Sequence, residues 1–384
     1  MSRFAVAVVL TCSLAALHAT ASFAAEQPAG DEVDRAVKHY MQDRQIPGAS
    51  VAIIQDGKLV KETSYGLASV ELNVPVSDRT LFTLASTTKE FTAVAIMTLV
   101  EAGKVSLDTP VRTYLPELPP SWGAVTVRHC LAHTSGLPDG DAPDDVNVLP
   151  LAGTQADLMK LLVTRPVGEP GVKTVYNQTE YMLLGDIIER VTGKPYKTYI
   201  EDRLLKPLGI TDMQWGDGWA VVPGRASLYT AVAPTPDHLK LQIDAKGQPV
   251  MSKEGIHAFG SKAAPAWLTP AAGLNGNIQD MVRWESALWS GKIITPQSLA
   301  TMSAPYKLRD GSAGDFGLEF IPYPLPGTAE PSVSSGGGAA VWITTLPKSH
   351  LTAIVLTNLQ GCKPPEFVID VLQAYRTQKG AARR

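Results

Sequence analysis

The sequence predicts an α+β fold: an antiparallel sheet flanked by helices, assembled from both ends of the chain, with a mostly helical domain inserted between them. Three observations predict it. Strand-like runs at 49–55 and 59–65 flank Asp56-Gly57, a dipeptide suited to a tight turn with positive φ. Two further strand-like runs, 340–345 and 351–357, lie near the other end of the chain. Most of what lies between shows helical periodicity broken by Pro and Gly loops.

In chain order, Arg3 precedes an apolar run at 4–17, and small residues follow at Ala21, Ala24 and Ala25. That is how a secretory signal peptide over 1–25 reads. Thr11, Ser13 and His18 interrupt the run before it reaches the length of a membrane span. The expectation is a periplasmic or secreted mature chain with no membrane span. Val33, Ala36, Val37, Tyr40 and Met41 then follow helical spacing, and Pro47-Gly48 stops that helix. A long helix is expected over 86–102, ending at Gly103. Helices at 154–163, 179–191, 196–205 and 278–289 follow, and an amphipathic helix at 366–375 closes the chain. The sheet domain is therefore drawn from 26–103 and 292–384, and the helical domain from 104–291.

Composition sets the class. With 384 residues, 45% of them hydrophobic and 18% charged, the chain can bury a substantial core, and its length favours two domains over one. The formal net charge is -3, becoming -4 once Arg3 is removed, and Lys and Arg form no blocks. Nucleic acid and anionic membrane surfaces are therefore not suggested as partners. Beyond Cys12 only Cys130 and Cys362 remain, too few for a disulfide-built scaffold, although a bridge between them stays open.

The chemistry centres on Ser86-Thr-Thr-Lys89, at the junction of an extended segment and the long helix. Residues three apart share a helix face, and an amine beside a serine hydroxyl can take its proton and make it a nucleophile. Thr87 and Glu90 also have the spacing of a capping box, which would make the same residues an ordinary helix start. The surrounding text weighs against that. Residues 82–89 with their helix, Leu107-Asp-Thr-Pro110, His133-Thr-Ser-Gly-Leu137, Pro170-Gly171, Tyr176, 181–193, Ala272-Gly273-Leu274, Gly317-Leu318 and 351–358 together resemble the serine beta-lactamase-like superfamily. Its members include class C beta-lactamases, D-alanyl-D-alanine carboxypeptidases and a family of esterases.

The resemblance implies the beta-lactamase/transpeptidase-like fold and a set of roles. Ser86 matches the acylated serine and Lys89 the lysine that activates it. Tyr176 matches the tyrosine of the second motif, Y-x-N, which shuttles protons; here the third residue is Gln178, able to hold substrate or Lys89. The third motif, a Lys or His followed by Thr or Ser and Gly, aligns with Ser334-Ser335-Gly336, so its cation is missing. That weakens the case for substrates carrying a carboxylate, such as penicillins or D-Ala-D-Ala peptides, and less so for a neutral ester or amide. The backbone N–H groups of Ser86 and Gly337 are implied as the oxyanion hole. The implied reaction uses no metal or organic cofactor and acts on a small-molecule or peptide substrate. The alternatives are a true beta-lactamase or carboxypeptidase, and a penicillin- or peptide-binding protein with impaired turnover.

Other constellations are weaker. His129 and His133, four apart on an expected helix, would share a face as zinc ligands do, but no third ligand is evident. His133 reads better as a structural residue opening the Thr-Ser-Gly loop. Asn177-Gln-Thr179 spells a glycosylation sequon inside the expected site and is read as coincidence. No G-x-S-x-G elbow occurs. Trp215, Trp219 and Trp267 could wall a cleft.

Overall fold

The computed structural model describes residues 30–140, 154–217, 220–233, 250–259, 265–338 and 340–381, with single positions 235, 242 and 244. The expected signal segment and Trp219 lie outside the described residues.

Helix α1 (Glu32–Arg44) opens behind an Asp31 capping box and leads into the hairpin of β1 (Gly48–Gln55) and β2 (Lys58–Ser69). Asp56 and Gly57 carry φ of 54° and 71°, the left-handed geometry that a two-residue hairpin turn requires. Among the described residues the main sheet has seven strands. In order they are β3 (Val74–Pro75), β2, β1, β7 (Leu351–Thr357), β6 (Val341–Leu346), β5 (Val333–Gly337) and β4 (Ile321–Pro322). Every pairing is antiparallel. The two ends of the chain meet at the centre, where Val51 lies opposite Val355 and Ile53 opposite Ala353. β7 is buried along its whole length and β1 along all but its last residue, because helices cover both faces.

On one face α1 packs with α5 (Pro364–Ala381), the Tyr40 and Phe367 rings stacking at 4.5 Å. On the other lie α2 (Thr88–Glu101) and α4 (Ile278–Trp289), with Phe91 stacked on Trp284 at 4.1 Å. The α4 segment, assigned by the sequence reading to the helical region, packs on β1 and β7. Residues 88–99 of α2 are buried on all sides, since α3 (Gln178–Thr192) packs against it as well. From Phe91 to Leu99 the sequence is apolar or threonine on every side, as such burial demands.

Three local expectations need correction. Ser86 does not lie in the α-helix but in a 3-10 turn, Ala85–Thr87, ahead of it. The Thr87–Glu90 capping box is absent: the Thr87 hydroxyl makes no hydrogen bond among the described residues, and Glu90 turns inward to Trp284 Nε1 at 2.7 Å. The helix carrying His129 is only Val127–Leu131, so His133, at φ 55°, does not share a helix face with it. Cys130 and Cys362 belong to different cores and are not bridged. Among the described residues no helix is long and apolar enough to cross a membrane.

Candidate active site

The position of Ser86 is built by a strained corner. Phe82–Thr83 pairs with Leu274–Gly276, and the chain then turns through Ala85 at φ 45° into the 3-10 turn that carries Ser86. A left-handed conformation at a residue with a Cβ costs energy, and such corners concentrate at functional sites.

Lys89, one turn into the helical segment, is buried with its amine surrounded by oxygen. Nζ lies 3.4 Å from Ser86 Oγ, 2.7 Å from Gln178 Oε1 and 3.1 Å from the Ala271 carbonyl. This set suits both forms of an amine. An ammonium can donate to all three oxygens; a neutral amine can donate to the amide and the carbonyl while its lone pair receives the serine proton. The faces of Tyr176 and Tyr181 flank the amine at 4.8 and 5.4 Å from their centroids. Gln178 therefore holds Lys89, one of the two uses open to it from the sequence.

The start of α3 is fixed from the loop before it. Asp139 Oδ1 accepts from Gln178 N at 2.8 Å, placing a carboxylate at the helix N-terminus, and Thr179 Oγ1 accepts from Gly140 N. Asn177 is buried and donates to the Leu137 carbonyl at 2.7 Å, so its amide is engaged inside the fold and the sequon is indeed coincidental. His133 Nδ1 lies 2.6 Å from Glu180 Oε2, both side chains fully enclosed. Burial pushes Glu180 well above the usual carboxyl range, and burial with the nearby Lys89 charge holds His133 well below that of an ordinary imidazole. One proton shared across this contact leaves the pair neutral in either arrangement. The His133 imidazole supports Tyr176, the two ring centroids lying 4.5 Å apart.

Opposite Ser86 runs β5. A Cβ built on Gly337 would fall 2.9 Å from Ser86 N and 2.0 Å from the Leu84 carbonyl, so only glycine lets the two backbones come this close. Ser86 and Gly337 thus stand as two backbone groups side by side, the arrangement an oxyanion hole needs. Gly337→Ala is expected to lower kcat by on the order of 100-fold or more, since an ångström of displacement at a reacting centre has that effect. Steady-state turnover on the purified variant checks it.

Ser86, Lys89, Tyr176, Gly336 and Gly337 line one cavity of about 510 Å³, together with His133, Phe316 and Glu319. Ser334 and Ser335 do not line it. The Ser334 hydroxyl is hydrogen bonded to Thr344 Oγ1 at 2.9 Å, and Ser335 donates to Glu319 Oε1 at 3.2 Å. Sequence reading missed Glu319 and the His133–Glu180 pair. A motif scan gives a lone glutamate no signal, because its proximity to the site comes from strand packing. Trp267 is buried, whereas Trp215 borders a separate cavity beside Lys197. His129 Nδ1 accepts from Thr126 N, which is a turn-capping contact.

The profile of the Beta-lactamase family matches residues 33–375. The chain belongs to that family. Protein flp of Staphylococcus aureus (strain N315) is 29% identical over 263 residues, covering 66% of this chain and 47% of that protein. The chain thus spans about half the length of that curated relative. Esterase EstB of Burkholderia gladioli is 28% identical over 298 residues, 70% of this chain and 72% of EstB. The octameric penicillin-binding protein homologue from Pyrococcus abyssi has the same fold, with a TM-score of 0.70 and 27% identity over 90% of this chain and 77% of that one. The expected family and fold class are borne out.

Proposed function

We propose that this chain is a serine hydrolase that forms an acyl-enzyme at Ser86 on a neutral ester. The observation carrying the proposal is the contact of Ser86 Oγ with Lys89 Nζ at 3.4 Å on the wall of a 510 Å³ cavity, with the Gly337 backbone against Ser86 N. In this reading Ser86 Oγ attacks the ester carbonyl and its proton passes to Lys89 or Tyr176. Two backbone N–H groups face the developing oxyanion, and the alcohol leaves with the proton. Water then releases the acid from the serine by the reverse proton path.

An ester is favoured over a beta-lactam or a D-Ala-D-Ala peptide because position 334 offers a hydroxyl turned to Thr344, not a cation for a substrate carboxylate. Kinship with an esterase supports the same choice. The experiment is labelling with a fluorophosphonate and with a fluorescent penicillin, alongside turnover of p-nitrophenyl acetate and nitrocefin. Ester turnover with fluorophosphonate labelling supports the proposal; nitrocefin turnover in its place overturns the ester assignment. Stable labelling without turnover of either substrate identifies a binding protein instead.

Export is part of the proposal, on the strength of the apolar run at 4–17 and the small residues up to Ala25. Expressed in a bacterial host, the chain is expected in the periplasmic fraction or medium, with an N-terminus at or next to Glu26 by mass spectrometry. An intact Met1 on cytoplasmic protein would contradict it.

A further inference from the structure

The catalytic steps above leave one wall of the cavity unused. Beyond Gly336 it is formed by Ile321, Tyr323, Trp342, Pro364 and Pro365, a mostly carbon surface. The Trp342 ring lies directly against the Gly336 backbone: a Cβ built there would fall 2.2 Å from the indole, so any side chain at 336 would displace it. Tyr323 meets the indole edge-on, centroids 5.8 Å apart. The polar edge of the ring is tied down, with Trp342 Nε1 donating to Thr344 Oγ1 at 3.1 Å, and Thr344 Oγ1 in turn hydrogen bonded to Ser334 Oγ at 2.9 Å.

This chain of contacts gives position 334 a purpose. Where the family motif carries a cation, a buried hydroxyl here completes the anchor that fixes the indole, leaving its carbon face to the cavity. At the rim Lys363 and Glu366 pair at 3.2 Å and offset each other's charge. We infer that this wall is the subsite for an apolar arm of the substrate, an alkyl or aryl group attached to the scissile ester, and that Trp342 is its specificity-determining residue. The inference rests on the hydrolase reading and adds the chemistry of the group next to the reacting carbonyl. A flexible chain laid along the indole leaves water methylene by methylene, and each buried methylene strengthens binding about threefold to fourfold.

The test uses the full chain and two ester series, p-nitrophenyl esters from acetyl to hexanoyl and acetates of alcohols of matching lengths; the series showing the gradient identifies the arm. In the wild type, kcat/KM is expected to rise on the order of 10- to 100-fold along that series. Trp342→Ala and Gly336→Ala should flatten the gradient at least tenfold, the second by moving the ring without truncating it, and Ser334→Ala should flatten it partly. The readout is a ratio within each variant, so a loss of folded protein cancels. A gradient unchanged in Trp342→Ala, or no gradient in a wild type that a small fluorophosphonate labels at Ser86, overturns the subsite. A wild type that the fluorophosphonate does not label overturns the hydrolase reading on which it rests.

Discussion

Ser86→Ala is expected to reduce ester turnover by at least about 10⁴-fold, the loss typical when a catalytic nucleophile is removed and only binding and backbone electrostatics remain. The fold should tolerate it. Ser86 Oγ is the most distant of the three oxygens around Lys89 Nζ, and the contacts at 2.7 and 3.1 Å to Gln178 and Ala271 remain to hold the amine. The corner that presents Ser86 is set by Ala85 and by the pairing of Phe82–Thr83 with Leu274–Gly276, neither of which needs the hydroxyl. Mass spectrometry after fluorophosphonate treatment and initial rates on p-nitrophenyl acetate decide the matter together. An adduct elsewhere on the variant, or turnover within tenfold of the wild type, removes Ser86 from the mechanism.

The second large effect concerns three buried carboxyl groups, one of which, Glu319, lines the cavity. Glu90 on α2, Glu285 on α4 and Glu319 beside β4 each have one oxygen hydrogen bonded, to Trp284 Nε1, Trp289 Nε1 and Ser335 Oγ respectively, and one oxygen without a partner among the described residues. The Lys89 charge favours the ionised form of Glu319, and a charge on Glu319 would in turn push Tyr181 up. Burial pushes all three above the usual carboxyl range, and the charge of Glu90 raises both Glu285 and Glu319 further. Protons held within the cluster supply the missing donors. The folded state therefore keeps protons that the unfolded chain releases once pH exceeds about 4.5, the value for an ordinary glutamate. The cluster is neutral to stability below that pH and subtracts from it increasingly as pH rises.

Glu285→Gln removes one titrating group and supplies an N–H donor. Its melting temperature relative to the wild type is expected to climb between pH 4.5 and pH 8. The gain at the alkaline end comes from the proton that Glu285 must keep in the fold and would release on unfolding, a cost that the amide does not carry. Melting curves across that range are the check, and a difference that stays constant or falls with pH would refute the account. Catalysis need not follow the same profile, because Glu285 touches neither Ser86 nor Lys89.

Much of the fold was readable from local patterns. The Asp56-Gly57 turn, the apolar runs of β1 and β7 and the helix stop at Gly103 are short-range signals, decided by backbone conformation and by which residues can be buried. The capping-box spacing misled because a buried helix start follows its tertiary neighbours: Trp284, distant in sequence, draws Glu90 inward. Likewise the His129–His133 spacing assumed a helix that ends at Leu131.

The sequence by itself determined the family and the order of the main elements and singled out Ser86 and Lys89 as candidates, since these rest on residue types at fixed short spacings. Only the tertiary structure decided that Gln178 holds Lys89, that Ser334 faces Thr344 and anchors an indole, and that three buried carboxyls, Glu90, Glu285 and Glu319, interact with one another. The reason is physical. Side-chain direction across paired strands and the depth at which a charge is buried depend on packing between segments far apart in the chain, and no local spacing encodes either.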